Sequence, residues 1–514
     1  MARDGQVNSC PFCVRHVLRR DCVGYVLSRR LDTSKYRPLV ISPRSYFVFT
    51  PLLNDCAVGT LEFRNVLESV RKKNRKIEYI QAWADDVNFA QKTVTVEPSI
   101  LDPDVGHALT GERHGNKNIV KHVGGTGTQT VPTFEVSYDK LIIAVGCYSQ
   151  TFGTKGVRQN ALFLKDVGDA RKIRRRVLEL FELAILPTTA NELRKYLLHF
   201  AIVGGGPTGM EFAAELSDLI RDDLSKIYPS LVKHIRISLY DVAPKVLPMF
   251  DKALSDYAVK TYKRQNIEIK TSHHITELRK GLPEDSEASA HQDKQLKGGV
   301  YTLTTKEEGD VGIGMCVWST GNMANPFIFK SLASVHTYPT ASAEATSDKA
   351  PESHSWIIKR NEKTGGIVVD DRFRVLLQSK PAPGSDSNNI ATATMSDVFA
   401  IGDNAVLESG PLPGTAQVAN QEALWLAKRL NKGDLQEKTF GFHNLGVMTY
   451  LGGSRALIQG APDKEGKASG LKGWLAYLLW RGAYLTMTLS WRNKFLVPVH
   501  WAAVWVFGRD INRF

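Results

Sequence analysis

Residues 204–209 read Gly-Gly-Gly-Pro-Thr-Gly, entered by the apolar run LHFAIV at 198–203 and left by the helical pattern MEFAAELSDLI at 210–220. The G-x-G-x-x-G spacing has a specific use. Gly204 permits a tight turn, Gly206 lets the backbone approach a pyrophosphate, and Gly209 lets helix and strand pack closely. Pro207 and Thr208 complete the turn at the positive end of the helix, where phosphates are held. The next apolar strand, IRISLY at 235–240, ends at Asp241. A carboxylate there accepts hydrogen bonds from ribose hydroxyls and repels a 2′-phosphate, which favours NADH over NADPH. The plainer alternative is a structural turn that holds no ligand.

Two further strand ends repeat the theme. YDKLII at 138–143 runs into Ala144, Val145 and Gly146, and SDVFAI at 396–401 runs into Gly402 and Asp403. In flavoproteins of the two-dinucleotide-binding class the first such strand returns the chain toward the flavin, and the acid after the second bonds the ribityl chain. Together they imply FAD beside NADH. Taken singly, each is also compatible with an ordinary buried strand and a capping aspartate.

From Gly24 to the C-terminus the chain resembles the type II (alternative, rotenone-insensitive) NADH:ubiquinone oxidoreductases, most closely the fungal mitochondrial forms. The resemblance rests on VISPRSYFVFTPLL (40–53), VGTLEFR (58–64), AVGCYSQ (144–150), the glycine-rich unit and AQVANQE (416–422). It implies that Ser42, Pro43 and Arg44 hold the FAD adenosine and that Thr50 and Pro51 lie against the isoalloxazine. By the same resemblance Glu211 reaches nicotinamide and flavin, Thr320 and Gly321 close the NADH side, and Ala416, Gln417 and Gln421 line the quinone tunnel. Bland readings stand beside these: Glu211 also suits a helix dipole, Gln417 and Gln421 a solvated helix face, and Thr50-Pro51 a turn.

One departure is large. The resemblance makes Gly24 the third glycine of a first glycine-rich turn, so the earlier two belong at positions 19 and 21, which are Arg19 and Asp21. Side chains there crowd a pyrophosphate, and Asp21 adds like charge. Weakened or absent FAD binding is the expectation, with residues 1–23 replacing a lost or misread native first exon.

The elements that must position these groups require a large α/β protein. At 514 residues the chain exceeds one core. Apolar strands alternate with helical patterns as in doubly wound sheets, interrupted by loop-like stretches at 101–133, 283–299, 333–355 and 379–394. A two-dinucleotide-binding-domain flavoprotein with Rossmann-like FAD and NAD domains and C-terminal membrane-anchoring helices is therefore expected. Residues 1–197 form the first part of the FAD domain, 198–330 the NADH unit with returning strands to 375, 376–435 the second FAD part with the quinone-site helix, and 436–514 the membrane-association and dimerisation region.

The formal charge of +13 suits anions, but no nucleic-acid-binding signature accompanies it. Cysteines 10, 13, 22, 56, 147 and 316 make no disulfide framework, and the Cys10–Cys13 pair lacks the second pair a zinc site needs. No metal, iron–sulfur centre or EF-hand is expected. Five of the nine tryptophans fall between 474 and 505, among Arg481, Arg492 and Lys494. That mixture suits an anionic membrane surface; a buried core or dimer interface is the plainer alternative, and both can hold at once. Arg481 interrupts the first apolar run, and the second, 495–507, contains Pro498 and falls short of the ~20 residues that span a bilayer.

The activity expected is hydride transfer from NADH to bound FAD and two electrons onward to ubiquinone, without proton pumping, by a homodimer lying peripherally on the mitochondrial inner membrane. No presequence is legible. Two alternatives remain: a flavin-deficient NADH-binding membrane protein, and a sulfide:quinone oxidoreductase on the same fold.

Overall fold

The computed structural model describes residues 22–71, 77–100, 107, 119–121, 128–130, 133–284, 299–330, 332, 343–345, 356–379, 392–462, 468–488 and 490–512. The Cys10–Cys13 pair, positions 19 and 21, and most of the four loop-like stretches lie outside them.

The glycine-rich unit sits where its sequence pattern requires. His199–Val203 is buried at every position, as a strand covered on both faces must be. It is the middle of a five-stranded parallel sheet ordered Leu162–Phe163, Met315–Trp318, His199–Val203, Arg236–Tyr240, Ile267–Lys270. The chain leaves His199–Val203 toward Arg236–Tyr240 on one side and returns through Met315–Trp318 on the other. That reversal opens a crevice at the strand's carboxyl end, the place where doubly wound sheets bind ligands. The sheet takes in Leu162–Phe163, and the helix Val167–Ile185 buries Ile173, Val177 and Phe181 in the same core. This unit therefore begins well before residue 198.

The second core is built from pieces far apart in the chain. Leu141–Ile143 pairs in parallel with Thr392–Ala400, Ile142 opposite Phe399, so the two predicted strand ends lie side by side although the whole nucleotide unit separates them. Trp356–Ile358 and Ile367–Val369 join the same sheet through Arg374–Ser379. They belong with this core rather than with the nucleotide unit. Leu39–Ser42 runs parallel to Glu78–Asn88, and the helix Cys22–Arg30, with Gly24 buried, packs on the helix Ala416–Lys432.

The C-terminal region is a three-stranded antiparallel sheet, Val447–Gly452, Arg455–Pro462 and Ala468–Gly473, followed by the helices Trp474–Met487 and Trp491–Phe507. Among the described residues no helix is long and apolar enough to cross a membrane. The five tryptophans divide. Trp480 stacks on Tyr450 at 5.3 Å and Trp501 is buried, whereas Trp474, Trp491 and Trp505 are exposed, Trp505 by 87% and its neighbour Phe507 by 86%.

Candidate active site

The helix Pro207–Leu219 begins at the crevice with Gly206 as its N-cap, Pro207 in its first turn and no side chain capping its amides. Those first N–H groups are donors without an intrahelical partner. A Cβ on Gly209 would lie 2.0 Å from Gly204 O, and one on Gly204, whose φ is +121°, 2.9 Å from Ser319 O. A Cβ on Gly206 meets nothing within 4 Å. Two glycines thus close strand on helix, and the third faces open space before the helix N-terminus. Thr208 is exposed in the same turn. Asp241 shapes the rim: Gly205 N donates to its Oδ2 and Ala243 N to its Oδ1 at 2.7 Å. Thr320 and Gly321 lie on the returning chain, where Gln150 N donates to Gly321 O at 3.3 Å.

The second cleft forms where Ala144, Val145 and Gly146 meet Gly402 and Asp403. Asn404 locks the two strand ends together, accepting from Gly146 N at 3.1 Å and donating to Ile143 O at 2.9 Å. Gly402 N donates to Glu422 Oε2 at 2.6 Å, and burial, aided by the charge of Asp403, pushes the Glu422 carboxyl up to about 7. Asp403 Oδ2 lies 3.0 Å from Cys147 Sγ, and Lys165 Nζ 2.8 Å from the same sulfur. Over Asp403 passes the chain at Gly414, which leads into the helix Ala416–Lys432, capped by Thr415.

Such a donor set suits a flavin dinucleotide. It offers a carboxylate for ribityl hydroxyls, the N-terminus of a 17-residue helix for a ring carbonyl, and an ammonium for phosphate.

Other expected flavin contacts are already engaged with protein. Arg44 makes a buried ion pair with Asp166, the N-cap of the helix Val167–Ile185. Ser42 Oγ bonds the backbone of Arg44 at 3.1 Å, and Pro43 O accepts from Ser99 Oγ at 3.1 Å. The Ser42–Arg44 turn thereby ties the second core to the nucleotide unit. Thr50 and Pro51 begin a single helical turn, with Thr50 exposed. Gln417 and Gln421 clasp the chain before the C-terminal sheet: Gln417 accepts from Leu445 N at 3.2 Å, and Gln421 exchanges bonds with His443 N and O at 3.0 and 2.7 Å. Ala416 opens that helix.

Between the clefts lies Glu211, in a cluster of buried carboxylates that the sequence reading passed over. Glu211 is buried and accepts from Asn54 Nδ2 at 3.0 Å and from Tyr450 N at 3.1 Å, joining all three regions of the chain. Burial pushes its carboxyl up to about 8, against the pull of the Tyr450 amide. Glu215 and Asp218 follow on the same helix face. Glu215 accepts from Thr60 Oγ1 at 3.2 Å and Asp218 from Tyr450 OH at 2.6 Å. Asp55 accepts from Trp501 Nε1 at 3.2 Å, and burial raises its carboxyl to about 6. The 211, 215, 218 spacing, one helical stripe, was available as a signal; Asn54, Asp55 and Tyr450 reach it only through the tertiary fold.

A split nucleotide-binding fold with two such clefts defines a class, the pyridine nucleotide-disulphide oxidoreductases, whose family description matches residues 23–338. The description of the NDH2 C-terminal domain matches residues 444–510. The chain belongs to the type II NADH dehydrogenase (NDH2) family. It is 33% identical to a probable NADH dehydrogenase of Dictyostelium discoideum over 95% of this chain and 89% of that one. With the external alternative NADH-ubiquinone oxidoreductase of Yarrowia lipolytica mitochondria it shares 30% identity over 94% and 78%. The fold is that of NDH2 from Plasmodium falciparum, solved in complex with NADH, with a TM-score of 0.73 at 22% identity, covering 97% of this chain and 99% of that one.

The two alternatives from sequence are not favoured. Relatives that are covered over most of their length are NADH dehydrogenases and NADH-ubiquinone oxidoreductases.

Proposed function

We propose that this protein is a non-proton-pumping NADH:ubiquinone oxidoreductase that carries FAD and lies peripherally on the mitochondrial inner membrane as a homodimer. The observation that carries the reading is the helix Pro207–Leu219. Its uncapped N-terminus opens on the nucleotide cleft, and one turn later Glu211 is held by both Asn54 and Tyr450.

Gly204, Gly206 and Gly209 bring the NADH diphosphate onto that N-terminus, and Asp241 takes the ribose hydroxyls. Asp403, the 144–146 turn and the start of the helix Ala416–Lys432 would hold FAD, which supplies hydride acceptance and electron transfer when bound. Reduction of a quinone consumes two protons with two electrons. Glu211, still protonated at neutral pH because burial holds its carboxyl near 8, is placed to give one. Gln417 and Gln421 act by fixing residues 443–446 against the helix that borders the acceptor side.

For the membrane, Trp474, Trp491, Phe495, Trp505 and Phe507 present an apolar face from two helices too short to span. Such a surface suits in-plane attachment to an anionic bilayer, where a lipid-soluble acceptor is met. The test is NADH oxidation by purified protein with a soluble quinone, with and without added FAD. Flavin-dependent, quinone-dependent turnover is expected. Absence of turnover in all arms overturns the reading.

A further inference from the structure

Lys165 stands out among the cations around the second cleft. The adjoining Arg44 is matched by the carboxylate of Asp166. Lys165 forms no ion pair with any described residue. Its ammonium instead lies 2.8 Å from Cys147 Sγ and 3.0 Å from Asn322 Oδ1. The backbone fixes it there, because Lys165 N donates to Asp169 Oδ2 at 3.2 Å within the capping box that starts the helix Val167–Ile185.

Three chain segments converge on this half-buried charge: Cys147 from the strand after the 144–146 turn, Asn322 from the returning strand Asn322–Ala324, and Asp403 through Cys147. A partly desolvated ammonium without a counterion attracts an anion. The flavin dinucleotide considered for this cleft carries its formal charge on the diphosphate alone.

We propose that Lys165 is an FAD-binding residue that pairs with the diphosphate of the cofactor, an inference that rests on the flavoprotein reading above. The test uses the full-length protein stripped of flavin and titrated with FAD and, separately, with riboflavin, which has no phosphate. Quenching of flavin fluorescence gives both affinities for wild type, Lys165→Met and Lys165→Arg.

Lys165→Met is expected to weaken FAD binding on the order of 10- to 100-fold, the usual worth of a hydrogen bond to a charged group. Lys165→Arg retains most of the affinity, riboflavin binding is equal in all three, and raising the salt narrows the FAD difference. Unchanged FAD affinity in Lys165→Met overturns the proposal. So does equal loss of FAD and riboflavin, which would mark a purely structural residue. A wild-type chain that binds neither ligand overturns the flavoprotein reading itself, and this proposal with it.

Discussion

Replacing Glu211 by glutamine separates the proton of this side chain from its shape. The buried carboxyl accepts two hydrogen bonds, from Asn54 Nδ2 and Tyr450 N. A glutamine oxygen keeps the Tyr450 bond. Its amide nitrogen then faces Asn54, whose Oδ1 has no partner, and a flip of that amide restores the second bond. The fold is therefore expected to survive.

The proton is another matter. Glu211 titrates near 8 in the folded chain against an ordinary 4.5, so between those values the folded state holds a proton that the unfolded state has lost. The stabilisation is complete below the unfolded value and declines by about 1.4 kcal/mol per pH unit until the folded carboxyl ionises, for a total on the order of 5 kcal/mol. Asp55 and Glu215, whose carboxyls burial also raises, are present in both proteins, so the difference between wild type and Glu211→Gln reports on the substituted group. Thermal melts from about pH 5 to about pH 8 should show the variant gaining on wild type as pH rises. Quinone turnover should fall by roughly 100-fold or more, the usual share of a general acid, with flavin content kept. Parallel melting curves, or a variant that reduces quinone at the wild-type rate, would refute the role given to Glu211.

Gly206→Val should leave the melting temperature unchanged, because a Cβ there meets open space, yet raise KM for NADH by about tenfold or more by filling the diphosphate position; steady-state kinetics and a melt decide it. Arg44→Met strands the buried carboxylate of Asp166, and chemical denaturation should show a loss of roughly 3–5 kcal/mol. Trp505→Ser combined with Phe507→Ser removes two exposed rings from the C-terminal helix. Co-sedimentation with anionic vesicles should drop by about two orders of magnitude or more, at roughly 1.5–3 kcal/mol of apolar transfer per ring, while turnover with a soluble quinone is kept.

What sequence could reveal depended on how local the signal was. The turn at 204–209, Asp241 and the strand ends at 146 and 402 were legible because strand, glycines and helix are contiguous in sequence. Short resembling blocks carried Glu211 and the glutamines, but not their surroundings. The ion pair of Arg44 was not legible, because nothing near it in sequence announces Asp166, 122 positions away. Sequence left both a membrane face and a buried core open for the five tryptophans, since composition alone does not tell one stacked on Tyr450, as Trp480 is, from one in solvent. The start of the nucleotide unit was misplaced at 198 because Leu162–Phe163 is too short a strand for periodicity to reveal, and only its pairing with Met315–Trp318 assigns it.

The most direct measurement is anaerobic rapid mixing of the purified full-length protein, first with NADH and then with a ubiquinone analogue, while the visible flavin absorption is followed. The band should be present at one flavin per chain, bleach with NADH and return when the quinone is added. A protein that stays colourless after incubation with FAD, or whose band ignores either NADH or the quinone, would contradict electron flow between the two clefts.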